Sequence, residues 1–179
     1  MKSLRDFRGK KLKWIKLKGL RKQYELRSDG DLYATLSWEK TFGSLATCEC
    51  IDGSYTLKRG GFLHPYVTAR KLPFDTDFAK MEMNFGGSGI VQFIHGKSFT
   101  FQKLSFWKSN WGFTDITGKM IITITEKSPS YRHYGEVEME KEARLIKNIA
   151  LLLIIGWYVI TLRREETSSV AMISAAGGS

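Results

Sequence analysis

The chain is poor in the residues that build disulfide frameworks and metal centres. Its 179 residues include two cysteines, three histidines and three prolines. Cys48 and Cys50 stand two apart in ATCECI, where a strand would place both on one face. A structural zinc site needs four ligands, and no second cysteine pair exists to supply them. The sequence therefore predicts two half-buried thiols, no disulfide, no metal or other cofactor, and a reducing, cytoplasmic compartment.

The sequence also lacks a recognisable catalytic motif. The histidines stand apart from one another, at His64, His95 and His133. None has the spacing of a metal-binding pair, so each is expected in a turn or at the surface. In GGSGI, Ile90 stands where a nucleophile elbow needs glycine. Asp75 and Asp77 are expected in an exposed loop. The sequence therefore predicts that the chain is not an enzyme.

Long hydrophobic runs are missing as well. The longest mainly apolar run covers residues 149–162, and a helix of this length spans about 21 Å, against about 30 Å for a bilayer core. We therefore expect a helix buried in the protein; the alternative is a transmembrane tail with Arg163 and Arg164 at one interface. A helix that is apolar all round must be covered all round. The residues expected in its buried core are Leu151, Leu152, Ile155, Gly156, Trp157 and Val159. Gly156 has no side chain and is expected to let the surrounding structure pack closely against the helix.

Short segments with alternating apolar and polar residues fill the chain before this helix. Turn sequences such as DGD, KTFG and FGGSG separate them, which predicts about twelve strands. A sandwich has no place for an apolar helix, whereas a closed barrel of this size has a lumen that a helix can fill. The predicted fold is mainly β: a single closed antiparallel β-barrel of about twelve strands around a central apolar C-terminal α-helix. The expected bounds are 1–10 for a basic extension, 11–164 for the barrel with its helix at 141–164, and 165–179 for a flexible tail.

Aromatic residues cluster in the second half of the strand region. Most are expected to pack between the barrel wall and the helix; they are Phe99, Phe101, Phe106, Trp107, Trp111 and Phe113. Lys97, Lys103 and Lys108 lie among them, and aromatics flanked by lysine can also stack on bases. Nucleic-acid binding is therefore an alternative interpretation of this region. In YGEVEME, Val137 and Met139 are expected to face inward.

Several of these segments resemble the tubby C-terminal-like superfamily. The similar stretches are DGSYTLKRGGFLHPYVTAR, NFGGSGIVQFIHGKSFTFQ, and WGFTDITGKMIITI with the later LLLIIGWYVITL. The superfamily includes tubby domains, LURP-one-related proteins and phospholipid scramblases, and the chain looks most similar to its prokaryotic branch, which has no assigned activity. The resemblance covers residues from about Tyr24 to Leu162. It implies a twelve-stranded barrel threaded by an apolar helix.

The functions of these relatives carry over poorly. Tubby domains bind phosphoinositides through basic residues on the wall, and Lys58 and Arg59 in LKRGGF do not match that site. Scramblases carry a calcium-binding stretch before the terminal helix. The corresponding EVEMEKEAR is acidic but lacks the ligand pattern that calcium favours, so we expect a solvated strand edge there.

Positive charge is concentrated at the start of the chain. Residues 1–27 contain eleven Lys or Arg and two acidic residues, so they hold almost all of the net charge of +10. The basic residues expected to form an anion-binding or lipid-binding surface are Lys10, Lys11, Lys13, Lys16, Lys18, Arg21 and Lys22. Trp14 and Ile15 would add apolar contacts to a membrane. The alternatives are an edge strand protected by lysines and a nucleic-acid site, although Gln23 alone would supply the amide groups that read bases.

These expectations combine into one functional prediction. The chain is expected to be a non-enzymatic binding or scaffold protein, cytoplasmic or peripheral to a membrane, whose basic N-terminal segment associates with an anionic phospholipid surface. A nucleic-acid-binding module and a membrane-anchored barrel are the alternatives. The sequence predicts no particular protein partner or oligomeric state.

Overall fold

The described part of the chain folds into twelve strands followed by one long helix. A computed structural model describes residues 1–8, 11–19, 21–40, 43–105, 107–127 and 133–176, with side chains up to residue 169. The strands are β1 Leu12–Lys16, β2 Gln23–Ser28, β3 Asp31–Trp38, β4 Ala46–Cys50, β5 Gly53–Gly60, β6 Tyr66–Lys71, β7 Thr76–Met83, β8 Gly89–Phe93, β9 Ser98–Lys103, β10 Asn110–Thr114, β11 Met120–Lys127 and β12 Tyr134–Met139. Short 3-10 helices cover Leu4–Asp6 and Glu142–Leu145, and helix α1 covers Ile149–Ala176.

The strands form a closed antiparallel barrel. Each strand pairs with the next in the chain, and β1 also pairs with β12, where Leu12 lies opposite Val137 and Trp14 opposite Gly135. Closure leaves β1 paired on both sides. The prediction of a closed barrel of about twelve strands is therefore confirmed, and the alternative in which the lysines of β1 protect a free strand edge is wrong.

Strand direction gives the barrel two distinct ends. Because neighbouring strands are antiparallel, the connections after odd-numbered strands lie at one end and those after even-numbered strands at the other. The 3-10 helix that precedes α1 packs near the turns after β8 and β10, at what we call the entry end. At the opposite end, Lys22 after β1 contacts Glu165 of α1. We call this end the exit rim; it comprises the described residues of the connections after odd-numbered strands, the strand residues that border them, and residues 163–166 of α1.

Helix α1 occupies the lumen of the barrel. Residues 149–162 are all buried. The Trp157 ring lies parallel to that of Trp14 on β1, with centroids 6.0 Å apart, and the Tyr158 ring lies parallel to that of Trp38 on β3 at 5.5 Å. Aromatic pairs of this kind add stability beyond the area they bury. The inward faces of the strands and the outer surface of the helix therefore form one core.

A glycine of α1 lets the wall come close to the helix. A Cβ atom on Gly156 would lie 2.8 Å from Phe113 on β10 and 3.2 Å from Ile124 on β11. The residues expected in the core of the helix are all buried, namely Leu151, Leu152, Ile155, Gly156, Trp157 and Val159.

The bounds of the helix differ from the expected 141–164. Residues Glu142–Leu145 form a 3-10 turn, and Asn148 has a φ of 62°, a left-handed conformation that an α-helix does not accommodate. The helix consequently begins at Ile149. It continues to Ala176, through much of the expected tail, because no glycine or proline interrupts residues 163–176.

The described residues include no helix that is both long and apolar enough to cross a bilayer. Residues 149–162, which the alternative interpretation places in a membrane, lie inside the barrel.

The aromatic residues of the second half divide between core and surface. Phe99, Phe101, Trp111 and Phe113 are buried, whereas Trp107 is 98% exposed. The expectation that Trp107 packs against the helix is therefore wrong. It lies in the connection between β9 and β10, where strand alternation no longer determines which side of the wall a side chain takes. Phe106 lies outside the described residues.

The two thiols on β4 are expected to react slowly in the native protein. Cys48 and Cys50 are buried and unpaired with each other. Burial raises the pKa of Cys50 to about 11, and the pKa of Cys48 is also raised by burial. Because the thiolate is the reactive form, labelling with Ellman's reagent at about pH 8 should be at least about 100-fold slower in the native than in the urea-unfolded chain. Rapid native labelling of one equivalent would contradict this burial.

Candidate anionic-surface site

The fold separates the basic N-terminal segment into parts that cannot act together. Lys11 precedes β1 at the entry end, whereas Lys16 ends β1 at the exit rim, about 17 Å away at 3.3 Å per residue. Lys13, between them on the outer wall, pairs with Glu136 at 3.4 Å. Lys18 and Arg21 are exposed on the connection after β1. Lys10 lies outside the described residues.

Lys22 belongs to the interior of the exit rim. Its side chain is 8% exposed, and its Nζ lies 2.8 Å from Glu165 Oε1 and 3.9 Å from the ring centre of Trp38. Burial lowers the pKa of Lys22, and the hydrogen bond to Glu165 opposes this effect. The expectation that Lys22 forms part of an exposed basic surface is wrong. It ties α1 to the start of β2.

Trp14 is also in the interior. It is fully buried against α1, so the expectation that it contacts a membrane is wrong. Its neighbour Ile15 is 40% exposed on the outer face. Strict alternation along β1 puts Leu12 and Trp14 inside the barrel and leaves Lys13 and Ile15 outside.

Charge is distributed unequally between the two ends of the barrel. The chain has seven aspartates and all of them lie at the entry end, in its hairpin turns, at the starts of strands or in the first 3-10 helix: Asp6, Asp29, Asp31, Asp52, Asp75, Asp77 and Asp115. Some shape the turns; the carboxylate of Asp115 accepts the backbone N–H groups of Thr117 and Lys119 at 2.9 and 3.1 Å. Cations lie at this end as well, and the carboxylates offset much of their charge; Asp31 pairs with Lys2, and both Asp75 and Asp77 pair with Arg70.

The exit rim is rich in cations. They include Lys16, Lys18, Arg21, Lys40, Arg59, Lys103, Lys108, Lys127, Arg163 and Arg164. Of the rim glutamates, Glu126, Glu165 and Glu166 form ion pairs with Arg164, Lys22 and Arg163 respectively, and Glu166 also pairs with Arg59. Glu39 adds another carboxylate, as does Glu82 on β7, which pairs with Lys80. The rim as a whole keeps a surplus of positive charge.

A cleft of about 300 Å³ opens beside α1 at this rim, with Lys103, Arg163 and Arg164 among its lining residues. The stem of Arg163 packs over Gly87, where a Cβ atom would lie 3.0 Å from Arg163 Cγ. Burial and then the nearby guanidinium of Arg59 lower the pKa of Arg163. Glu166 is the anion between these two guanidinium groups, because it pairs with both of them. The carboxylate of Glu126 also lines the cleft, so its charge is mixed.

His133 is part of a buried hydrogen-bond network. It is expected in a turn or at the surface; it does lie in the connection before β12, but it is buried there, with its Nδ1 2.8 Å from the Tyr24 hydroxyl and its Nε2 2.9 Å from Glu126 Oε1. With the proton on Nε2, Tyr24 donates to Nδ1 and His133 donates to Glu126. Arg164 of α1 lies 3.4 Å from the same carboxylate oxygen. The network joins β2, β11 and the residue preceding β12 to the helix.

Other polar candidates of the sequence have separate structural surroundings. His64 and His95 are exposed. Asp75 and Asp77 both pair with Arg70 at the entry end. Among the described residues there is no group of three or more His, Cys, Asp or Glu side chains that could hold a metal ion.

The rim cations were only partly visible in the sequence. In the sequence, Arg163 and Arg164 flank an apolar run, and Lys103 and Lys108 stand among aromatic residues. Their convergence depends on antiparallel pairing and on the direction in which α1 passes through the barrel. Numbering the predicted strands would have shown which cations follow odd-numbered strands, and those cations lie at one end of an antiparallel barrel.

Compared with known proteins, the chain matches no family model, no curated protein and no solved structure.

Proposed function

We propose that this chain is a non-enzymatic binding or scaffold protein whose exit rim attaches it to anionic membrane surfaces. The observation that carries the proposal is the unequal distribution of carboxylates between the two ends of the barrel. All seven aspartates lie at the entry end, whereas Lys16, Lys18 and Arg21 are exposed at the exit rim. An anionic surface attracts the rim more strongly than the entry end, where carboxylates offset much of the positive charge, so charge favours one orientation.

The barrel is also proposed to belong to the tubby C-terminal-like superfamily. The support is architectural: a closed barrel of twelve antiparallel strands, with a C-terminal helix running through its lumen. The attachment proposed for the rim differs from the wall site of tubby domains. In this chain, Arg59 on β5 forms an ion pair with Glu166 of α1, and its neighbour Lys58 is exposed.

Neutralising the rim part of the basic segment should weaken binding to acidic vesicles. The variant carries Lys16→Gln, Lys18→Gln and Arg21→Gln. Each basic residue near an anionic membrane contributes about 1 kcal/mol, so the triple variant should bind roughly 100-fold more weakly in vesicle sedimentation. Wild-type binding should also weaken as salt rises, because exposed charges are screened beyond about 8 Å at physiological ionic strength.

A matched control removes the same charge from the other end. Lys97, Lys141 and Lys147 are exposed and border the entry end; changing all three to Gln should leave vesicle binding within about threefold of wild type, since the affected charges face away from the membrane. Both triple variants should keep their thermal stability, because exposed substitutions change it little. Equal loss of binding in the two variants would show attraction by net charge without a preferred face.

Nucleic acid would use the same cations and is the competing proposal. Wild-type protein that ignores vesicles of acidic lipid at low salt, yet retards DNA or RNA in a gel, would replace the membrane proposal. Protein that does neither would leave the rim lysines with a role in solvation alone.

A further inference from the structure

Three neighbouring connections of the exit rim expose large apolar side chains. Phe62 and Leu63 follow β5, Phe85 follows β7 and Trp107 follows β9; their exposed fractions are 91%, 69%, 64% and 98%. Because β5 to β10 are consecutive neighbours in the barrel, these connections share one side of the rim. Single exposed apolar residues are ordinary on protein surfaces, but a group with two almost completely solvated aromatic rings calls for a partner.

Hydrogen bonds within the connections order the backbone next to two of these side chains. Around Phe85, the Gly87 N–H donates to the Asn84 carbonyl and the Ser88 N–H to the Asn84 side chain, both at 3.1 Å. Next to Trp107, the Lys108 N–H donates to Ser105 Oγ at 3.2 Å. The aromatic rings are therefore carried by formed turns, so that burying them orders little additional backbone.

The entry end also has exposed apolar side chains, but three of them are adjacent in sequence to an aspartate. Ile51 precedes Asp52, and Phe74 precedes Asp75. Ile116 follows Asp115 in the same way. Seating these side chains on an anionic surface would bring the carboxylates against like charge. At the exit rim the residue after Trp107 is Lys108, whose charge suits acidic headgroups.

We propose that Phe62, Phe85 and Trp107 enter the interfacial layer of an anionic bilayer when the exit rim attaches to it, with Leu63 beside them. The inference rests on the proposed function, since it specifies how the same rim engages the membrane. Aromatic rings favour the headgroup level, where their apolar bodies leave water while polar groups stay hydrated. The surrounding cations supply attraction at a distance, and the rings supply a contact that salt does not screen.

Trp107 offers a direct test by fluorescence. The other tryptophans are buried, namely Trp14, Trp38, Trp111 and Trp157. When the full chain is mixed with vesicles of phosphatidylcholine and phosphatidylserine, emission should shift to shorter wavelength and become protected from acrylamide. Brominated acyl chains should quench it. Trp107→Phe should abolish all three changes, because every tryptophan that remains is buried; sedimentation of the same samples reports separately how much of the variant is bound.

Sedimentation of matched variants tests the contribution of the rings. One variant changes Phe62, Phe85 and Trp107 to Ser, and its control changes Phe74, Ile94 and Ile116 to Ser; all six side chains are exposed. The rim variant should lose about tenfold or more of its affinity and nearly all binding that survives high salt, because the apolar contact is gone. The control should bind like wild type. Thermal melts should show both variants folded.

The outcomes separate this inference from the proposal on which it rests. In one outcome, the wild type binds vesicles while acrylamide still quenches Trp107, and the rim variant binds as tightly as the wild type. These two results together would overturn the insertion, and attachment by charge would remain. Absence of vesicle binding by wild type would overturn both. Self-association that is lost in the rim variant, with no protection by vesicles, would assign the rings to a contact between copies of the chain.

Discussion

Removal of residues 149–179 is expected to abolish cooperative folding of the whole chain. The buried part of α1 supplies the interior against which the inward side chains of the wall pack. Without it, Trp14 and Trp38 lose the rings on which they stack, and a barrel of twelve strands has a lumen too wide for wall side chains alone to fill. The truncated chain should show no near-UV circular dichroism of the native form and no sharp thermal transition.

A shorter truncation provides the control. Deleting residues 170–179 should leave the melting temperature nearly unchanged, because the contacts between α1 and the exit rim described above end with the pairing of Glu166 to Arg59. A sharp thermal transition in the chain lacking residues 149–179 would show that the barrel folds without the helix. The membrane-anchor interpretation requires that result.

Substitution of Trp157 by alanine should produce the largest loss of stability expected for a single residue in α1. The Trp157 ring is fully buried, with its centroid 6.0 Å from that of Trp14, 5.5 Å from Tyr24 and 4.9 Å from His133. It also fills the space that a side chain at Gly135 would need. Removing a buried tryptophan costs about 3–5 kcal/mol in the free energy of unfolding. Urea denaturation followed by far-UV circular dichroism measures it.

Trp107→Ala is the matched control for this substitution. The same atoms are removed from a side chain that is almost wholly in solvent, so stability should change by no more than about 0.5 kcal/mol. The indole N–H of Trp157 has no acceptor within the part of the chain that is described, so the loss at position 157 comes from packing. Similar losses at the two positions would contradict the placement of α1 in the lumen.

The alternation of apolar and polar residues, together with the turn residues, was sufficient to predict the barrel, because the alternation within each strand indicates which of its faces is buried. In β2 and the residue before it, Lys22, Tyr24, Leu26 and Ser28 are buried in turn. The same parity places His133 inside with Val137. Lysine and histidine are polar, which predicts a surface position for Lys22 and His133. Their places in the alternating pattern of the strands predict the interior. The partner of Lys22 is Glu165, far along the chain, and a local pattern contains no sign of it.

The candidate site was less predictable than the fold. Lysines close together in sequence suggested a continuous surface, but β1 carries Lys11 and Lys16 to opposite ends of the barrel. Conversely, Lys16 and Arg163 are far apart in sequence and lie at the same rim. The bounds of α1 show a related limit: apolar content located residues 149–162, whereas its start depends on the left-handed Asn148, which hydrophobicity does not reveal.

Closure between the first strand and the last has a consequence for synthesis on the ribosome. Leu12 pairs with Val137, and α1 begins only at Ile149. At about 5–20 residues per second, roughly 7–30 s separate translation of β1 from that of the helix. Hairpins between successive strands can form as they emerge, but the open sheet keeps both lateral edges uncovered until β12 is made, and its apolar face uncovered until α1 is made. Nascent chains of this protein are therefore expected to depend on chaperones that shield apolar surface, most strongly between the appearance of β12 and the arrival of α1.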